Sequence, residues 1–226
     1  MELSLKNTGL PTGILKGETA QGILAEYSAT GMGVMEVHGD FGDLSEIKRF
    51  IANPSVHLPK GPCRKSMALI EEAMSLGFER IIVHPDHLTK DSIWDEMGSA
   101  LLIENLDPRS PEFRTAEQLE PILQTLPNAM VCLDVAHAAQ EPEIIEGLIQ
   151  AFHSKIKQVH LSEIDYRTGK HQPKASPSAF VNAVNWLKYL PHDIPVVVEL
   201  AMVTWEDAAQ EVYRVARARA ELRNGR

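Results

Sequence analysis

Cysteine is scarce in this sequence, with two among 226 residues, Cys63 and Cys132. They lie far apart and neither belongs to a Cys-x-x-Cys pair, which excludes a zinc finger and a disulfide framework. No apolar run approaches the roughly 20 residues that a membrane-spanning helix requires. The N-terminal residues also lack the charged-then-apolar pattern of a secretion signal. These absences predict a cytoplasmic protein without a membrane partner.

A surplus of positive charge is also missing. The chain has 22 lysine and arginine residues against 31 acidic residues, a formal net charge of −9. Because broad contact with a nucleic acid needs a basic surface, this balance disfavours a nucleic-acid partner. The hydrophobic content of 44% is ordinary for a globular protein, and 226 residues suffice for one substantial core. We predict one domain over residues 1–226, and the sequence leaves a homo-oligomer open.

Short apolar runs alternate with amphipathic segments along the chain. Eight runs have the composition of strands, namely MELSL, GVMEVH, SVHLP, RIIVHP, LLIEN, MVCLD, IKQVHLSE and IPVVVEL. Such runs are typical of parallel strands covered on both faces, and the alternation with helices indicates right-handed βαβ units. Eight units predict an α/β fold, a compact closed (β/α)₈ TIM barrel. A doubly wound open sheet is the alternative, but KNTGLPTG lacks the glycine spacing of its usual phosphate loop.

Acidic and imidazole side chains occur where the last four predicted strands end. Glu104 ends the fifth run, Asp134 ends the sixth, His160 lies in the seventh and Glu199 lies near the end of the eighth. Barrel active sites are built from such positions on several strands at once. Three converging carboxylates repel each other unless a cation neutralises them. We therefore predict a metal site, and its oxygen-rich donors with one imidazole favour Mn²⁺, Mg²⁺, Co²⁺ or Zn²⁺.

Further polar residues surround these positions. His38 and His57 end the second and third runs, His84 follows the apolar part of the fourth, and His137 lies three residues beyond Asp134. His38 is a candidate for substrate contact and His137 for substrate or metal contact.

Two loops are long enough to be functional, HLSEIDYRTGKHQPKASPS and ENLDPRSPEF. The first contains Arg167 and His171, and the second contains Arg109. Arginine in such a loop can bind a phosphate or carboxylate of a substrate. The alternative is that these loops are merely polar and solvated.

The motifs IIVHPD, LLIENLD, CLDVAHA, QVHLSEID and VVVEL, in this order and spacing, resemble those of the xylose-isomerase-like barrel superfamily. That superfamily includes sugar-phosphate isomerases and epimerases, ketose 3-epimerases, inosose dehydratases and the endonuclease IV branch. The resemblance covers essentially the whole chain. It implies that the shared metal ligands fall on Glu104, Asp134, His160 and Glu199.

In the isomerase and epimerase branches, this resemblance implies an enzyme acting on a small sugar, sugar phosphate or polyol. The metal acts as a Lewis acid towards adjacent substrate oxygens and stabilises an enediolate. Glu104 and Glu199 would remove and return the proton. His137 would form a hydrogen bond with a substrate hydroxyl group.

Two alternatives remain. The endonuclease IV branch implies a multi-zinc phosphodiesterase, whose extra ligands would fall on His57, His84, His137 and His171, while Gly169 replaces an aspartate of its pattern. The other alternative is a barrel that binds a metabolite or partner protein without turnover and keeps a metal only for structure. Metal stoichiometry separates the enzymes, since one ion suits the isomerase and two or three suit the hydrolase.

Overall fold

The computed structural model describes residues 5–12, 19–39, 43–59, 64–168, 170–172, 175–201 and 204–223. Within these ranges eight parallel strands close into a barrel in sequence order, with the first strand paired to both the second and the last. The predicted (β/α)₈ barrel is therefore confirmed. The strands are β1 (Thr8–Pro11), β2 (Val34–His38), β3 (Asn53–His57), β4 (Ile81–Val83), β5 (Leu101–Glu104), β6 (Met130–Asp134), β7 (Ile156–Leu161) and β8 (Val196–Val198).

Each strand is followed by a helix in the described part of the chain. The helices are α1 (Ala20–Thr30), α2 (Leu44–Phe50), α3 (Arg64–Ser75), α4 (Ile93–Met97), α5 (Ala116–Thr125), α6 (Pro142–Phe152), α7 (Pro177–Trp186) and α8 (Trp205–Arg223). Short 3₁₀ turns occupy Pro85–His87, Gly98–Ala100, Ala136–Ala138 and Leu187–Tyr189. None of the helices that the structure describes is long and apolar enough to span a membrane.

Side-chain caps explain where several helices begin. The hydroxyl of Thr19 accepts a hydrogen bond from the backbone N–H of Gly22 at the start of α1. The hydroxyl of Thr204 accepts a hydrogen bond from the backbone N–H of Asp207 at 3.2 Å at the start of α8. Each cap satisfies an N–H group that has no partner within its own helix.

The first strand lies later in the chain than the run MELSL. Residues 1–4 lie outside the described residues, and Leu5 precedes the strand. At Gly9 a Cβ atom would lie 1.6 Å from the backbone oxygen of Val34, so only glycine allows β1 and β2 to approach this closely. The hydroxyl of Tyr27 donates to the carbonyl of Leu10 and accepts from its N–H, both at 2.8 Å. This pair of bonds fixes β1 against α1.

The barrel interior changes from apolar to polar towards the carboxyl ends of the strands. Ile82, Leu102 and Cys132 form a fully buried apolar cluster. Burial also raises the pKa of the Cys132 thiol, so Cys132 behaves as a small core residue, whereas Cys63 lies outside the described residues. Because side chains on one face of a strand recur every second residue, the next interior positions along these strands are His84, Glu104 and Asp134.

Candidate metal centre

The carboxyl ends of β5 to β8 bring the four predicted donors together. One ligand atom from each of Glu104, Asp134, His160 and Glu199 lies within 4.8 Å of the others. His160 Nδ1 is 3.2 Å from Glu104 Oε1 and 3.5 Å from Glu199 Oε2. All four residues are buried, and Asp134 and His160 have no exposed surface. The arrangement is an oxygen-rich donor set with one imidazole.

The buried carboxylate of Asp134 tests whether this set fits a cation. Its Oδ1 accepts a hydrogen bond from the backbone N–H of His137 at 3.0 Å. Its Oδ2 is buried and accepts no hydrogen bond from any residue that the structure describes. Burial raises the pKa of Asp134 to about 6, and the nearby charges of Glu199 and Glu104 add to that rise, while His137 opposes it. A buried carboxylate oxygen without a donor is suited to a cation ligand.

A second group of donors faces the other oxygen of Glu104. His57 Nε2 lies 2.9 Å and His84 Nε2 lies 3.2 Å from Glu104 Oε2. These three residues also offer ligand atoms within 4.8 Å of one another. Glu104 therefore lies between two candidate cation positions, one on each carboxylate oxygen.

Main-chain carbonyl groups fix the ring orientation of two histidines. His57 Nδ1 is 3.0 Å from the oxygen of Leu58, and His137 Nδ1 is 2.7 Å from the oxygen of Asn105. Because a carbonyl oxygen only accepts, each Nδ1 carries the proton and each Nε2 faces the centre. Histidines that bind metals in proteins are commonly anchored in this way through the second ring nitrogen.

Glu36, which no sequence pattern singled out, is a fully buried carboxylate beneath these donors. Its Oε2 is 2.9 Å from His160 Nε2 and accepts from Gln158 Nε2 at 2.6 Å. Its Oε1 is 2.7 Å from His38 Nε2. Glu36 precedes His38 by two residues in GVMEVH, so both lie on the same strand face, and this spacing was the signal that could have revealed it.

The charges of the centre balance one another through carboxylate and imidazole pairs. Burial alone would raise the pKa of Glu104, but His160, His57 and His84 hold it well below its usual value. Burial alone would lower the pKa of His57, but its hydrogen bond to Glu104 raises that pKa to about 9. Burial likewise opposes the shift at Glu199, whose pKa is lowered mainly by His160 and then by His171. The imidazoles beside Glu104 and Glu199 therefore keep these two carboxylates ionised.

A cavity of about 720 Å³ opens above the donors. Glu104 and Glu199 line it, whereas Asp134 and His160 lie beneath its floor. One wall is a row of four imidazoles whose neighbouring ring centroids are 4.8, 5.2 and 5.4 Å apart. Its members are His38, His57, His84 and His87.

The two predicted loops lie at the mouth of the cavity. The loop after β7 contains a short antiparallel hairpin of Ile164–Asp165 with Lys170–His171, which brings His171 Nε2 to 3.7 Å from Glu199 Oε2. Arg109 lines the cavity and donates to the carbonyl oxygen of Thr168 at 2.8 Å, which connects the two loops. Arg167 is exposed and does not line the cavity. Gly169 lies outside the described residues.

Several solved structures share this fold. An endonuclease IV from Thermus thermophilus matches with a TM-score of 0.68 over 95% of this chain and 99% of its own, at 18% identity. The 3-keto-D-glucoside 4-epimerase from E. coli matches with a TM-score of 0.64 over 96% and 99%, at 14% identity. The D-psicose 3-epimerase of Clostridium cellulolyticum with D-tagatose matches with a TM-score of 0.62 over 97% and 98%, at 15% identity.

These likenesses show the fold. The resemblance to xylose-isomerase-like barrels that was drawn from the motifs is confirmed at that level. No protein-family model matches the sequence, and no curated protein matches it.

Proposed function

We propose that this chain is a divalent-cation-dependent isomerase or epimerase of a small sugar, sugar phosphate or related polyol. The observation that carries the proposal is the position of two carboxylates. Glu104 and Glu199 extend from different sides of the barrel end into one cavity, and each has an oxygen near His160 Nδ1. Two ionised carboxylates flanking one carbon can remove a proton from it and return one to it.

The cation of this proposal would be held by Glu104, Asp134, His160 and Glu199. When bound, a divalent ion supplies Lewis-acid polarisation of adjacent substrate oxygens. The donors favour Mn²⁺, Mg²⁺, Co²⁺ or Zn²⁺, because oxygen ligands predominate and thiolates are missing from the set. Asp134 Oδ2 is buried and accepts no hydrogen bond within the described part of the chain, which supports this assignment.

The environments of the two carboxylates suggest which one removes the proton and which one returns it. Glu104 Oε2 is already close to His57 and His84, which hold the carboxylate in place and keep it ionised. Within the described part of the chain, the ion-pair contacts of Glu199 are with His160 and His171, at the longer distances of 3.5 and 3.7 Å. Glu199 is therefore the freer base for the first proton transfer, and Glu104 serves the opposite side of the carbon.

Other cavity residues would orient the substrate. His137 Nε2 faces the cavity, because Nδ1 is engaged by the Asn105 carbonyl. His38 lines the same cavity with about a third of its side chain exposed. Arg109, rather than Arg167, is placed to meet an anionic group such as a phosphate. The sugar epimerases that share this fold support a carbohydrate-like substrate.

One observation favours a second candidate, a multi-zinc phosphodiesterase. His57, His84 and Glu104 form a further three-residue donor set adjoining the first, and an endonuclease IV shares the fold. A pair of ions can activate water and stabilise a leaving oxygen. The net charge of −9 opposes contact with a long polyanion.

Metal counting followed by two assays tests the proposal. The protein is purified without chelators or metal-affinity steps, and its metals are counted per chain by mass spectrometry. It is then incubated in D₂O with keto-sugars and their phosphates, and deuterium uptake at carbon is followed by NMR. Hydrolysis of bis(p-nitrophenyl) phosphate is measured in parallel.

One ion per chain with cation-dependent deuterium uptake is the expected result. Two or three zinc ions with phosphodiester hydrolysis and no deuterium uptake would make the phosphodiesterase the function. A bound ion with neither activity would favour the non-catalytic barrel.

A further inference from the structure

Glu36 is an unusual residue for a barrel interior, because its carboxylate is fully buried one layer below the cavity. Burial alone would raise its pKa, but His160 and His38 lower it, so the carboxylate is ionised. Burying such a charge is costly unless hydrogen-bond donors surround it. Such an arrangement calls for a functional explanation.

Three donors surround this carboxylate. His160 Nε2 and Gln158 Nε2 lie 2.9 and 2.6 Å from Oε2, and His38 Nε2 lies 2.7 Å from Oε1. Glu36 has a ligand atom within 4.8 Å of those of His38 and Glu199, so it could itself be considered a cation ligand. However, a carboxylate has about four acceptor positions, and three are already engaged. Its contacts therefore suit anchoring better than ligation.

His160 is the residue that this anchoring affects most. Its two ring nitrogens face opposite ways, with Nε2 on Glu36 and Nδ1 towards Glu104 and Glu199. His57 and His137 have their second ring nitrogen fixed by a main-chain carbonyl. At His160 the corresponding acceptor is a side chain, which mutation can remove.

We propose that Glu36 is a positioning residue that holds His160 through its Nε2–H and thereby directs Nδ1 to the cation. This inference rests on the proposed metal centre. The amide of Gln158 assists, because it donates to the same oxygen of Glu36 and so holds that oxygen in place. Glu36 thus acts through His160 and does not touch the substrate or the cation.

The first test compares cation affinity in a graded pair of variants. Glu36→Gln keeps an acceptor oxygen without charge, whereas Glu36→Met removes the acceptor at similar length. Charge-assisted hydrogen bonds are roughly twice as strong as neutral ones, and losing an anchoring partner typically weakens metal binding 10- to 100-fold. We expect the Kd for Mn²⁺ and Zn²⁺ to rise about 10-fold in Glu36→Gln and about 100-fold in Glu36→Met.

The matched control is Glu211→Gln, which changes a buried glutamate of α8 that pairs with Arg214 and lies outside the metal centre. Its cation affinity should equal that of the unchanged protein. Thermal unfolding with EDTA present establishes that each variant is folded. If Glu36→Met does not fold, Glu36→Gln decides the question. Unchanged affinity in the folded Glu36 variants would overturn the proposal.

The second test observes the His160 ring directly by long-range ¹H–¹⁵N NMR, with signals assigned by a His160→Asn variant. In the unchanged protein we expect a slowly exchanging proton on Nε2 and a cation-induced shift confined to Nδ1. Fast exchange of that proton in Glu36→Gln, or in Glu36→Met if it folds, would support the anchor.

Coordination through Nε2 would overturn the anchoring role of Glu36. If the unchanged protein binds no divalent cation, the proposed metal function fails, but the Nε2 proton still reports whether Glu36 anchors the ring. A proton protected in the unchanged protein and not in the variant supports anchoring, and equal protection in both excludes it.

Discussion

Asp134 and His137 are connected at two points. The backbone N–H of His137 donates to Asp134 Oδ1 at 3.0 Å, and His137 Nε2 lies 3.4 Å from Asp134 Oδ2. The carboxylate that ends β6 therefore shapes the 3₁₀ turn at Ala136–Ala138 and also contributes an oxygen to the donor set. This explains why a buried apolar strand is followed at once by a carboxylate and an imidazole.

Asp134→Asn should remove most of the stabilisation that a cation gives. The amide oxygen keeps the bond to the His137 N–H, so the fold persists, but a charged ligand is lost. A cation at about 100 times its Kd adds about 2.7 kcal/mol, which raises Tm by roughly 5–11 °C in a chain of this size. We expect that rise with Mn²⁺ or Zn²⁺ for the unchanged protein, measured against EDTA. An equal rise in Asp134→Asn would place the cation elsewhere.

Glu199→Gln should abolish turnover without unfolding the barrel. A positioned general base contributes about 10²- to 10⁴-fold to a rate, so deuterium uptake should fall by at least about 100-fold. Cation affinity should fall as well, because Glu199 is also a donor. Glu206→Gln, an exposed change at the start of α8, should leave both measurements unchanged. Full activity in Glu199→Gln would contradict the assigned role.

Tyr27→Phe should destabilise the barrel. The change leaves the N–H and carbonyl of Leu10 without the hydroxyl that bonds both. Buried polar groups that lose a partner cost about 1–3 kcal/mol, and denaturant unfolding should show a loss of that size. Tyr213→Phe is the control, because Tyr213 is exposed on α8 and its loss should change stability by less than about 0.5 kcal/mol.

Arg109→Met should raise the pKa of Asp107, which lies in the loop after β5. The guanidinium of Arg109 lowers the pKa of Asp107 to about 2 through a two-pronged contact. Because the folded pKa lies below the unfolded value of about 3.9, the pair stabilises the protein above that value, and its contribution disappears as the pH falls towards 2.

An NMR titration of the Asp107 carboxyl should therefore show its midpoint moving from about 2 towards 3.9 in Arg109→Met. The stability difference between the two proteins should be present at pH 6 and shrink below pH 4. It should stay under about 1 kcal/mol, because 45% of the Arg109 side chain is exposed. A midpoint that does not move would show that the backbone N–H of Arg109 and the nearby His137 set this pKa without the guanidinium.

Most of the fold could be predicted from the sequence, because seven of the eight barrel strands overlap apolar runs identified there. The exception is β1, where Gly9 and Pro11 are poor strand formers. Its position depends on the close approach to Val34 and on the bonds from Tyr27, which are contacts between distant parts of the chain. The composition of a short segment cannot predict such contacts.

The candidate centre was predictable where a polar side chain followed an apolar run, as with Glu104 and Asp134. Glu36 was hidden because it lies within its strand, where only a cross-barrel partner explains a buried charge. Its contact with His160 joins residues separated by 124 positions. The loop that contains Arg167 could be identified from the sequence. The position of Arg167 relative to the cavity could not, because it depends on how that loop folds.

The order of the strands has a consequence for synthesis of the chain. Glu104, Asp134 and His160 come from β5 to β7, but Glu199 follows the last strand, which closes the barrel against β1. A growing polypeptide on the ribosome therefore lacks one of the four proposed donors until the last barrel strand has been made. If the proposed metal function holds, the complete donor set forms only when the barrel closes, and a partly made chain would bind the ion weakly.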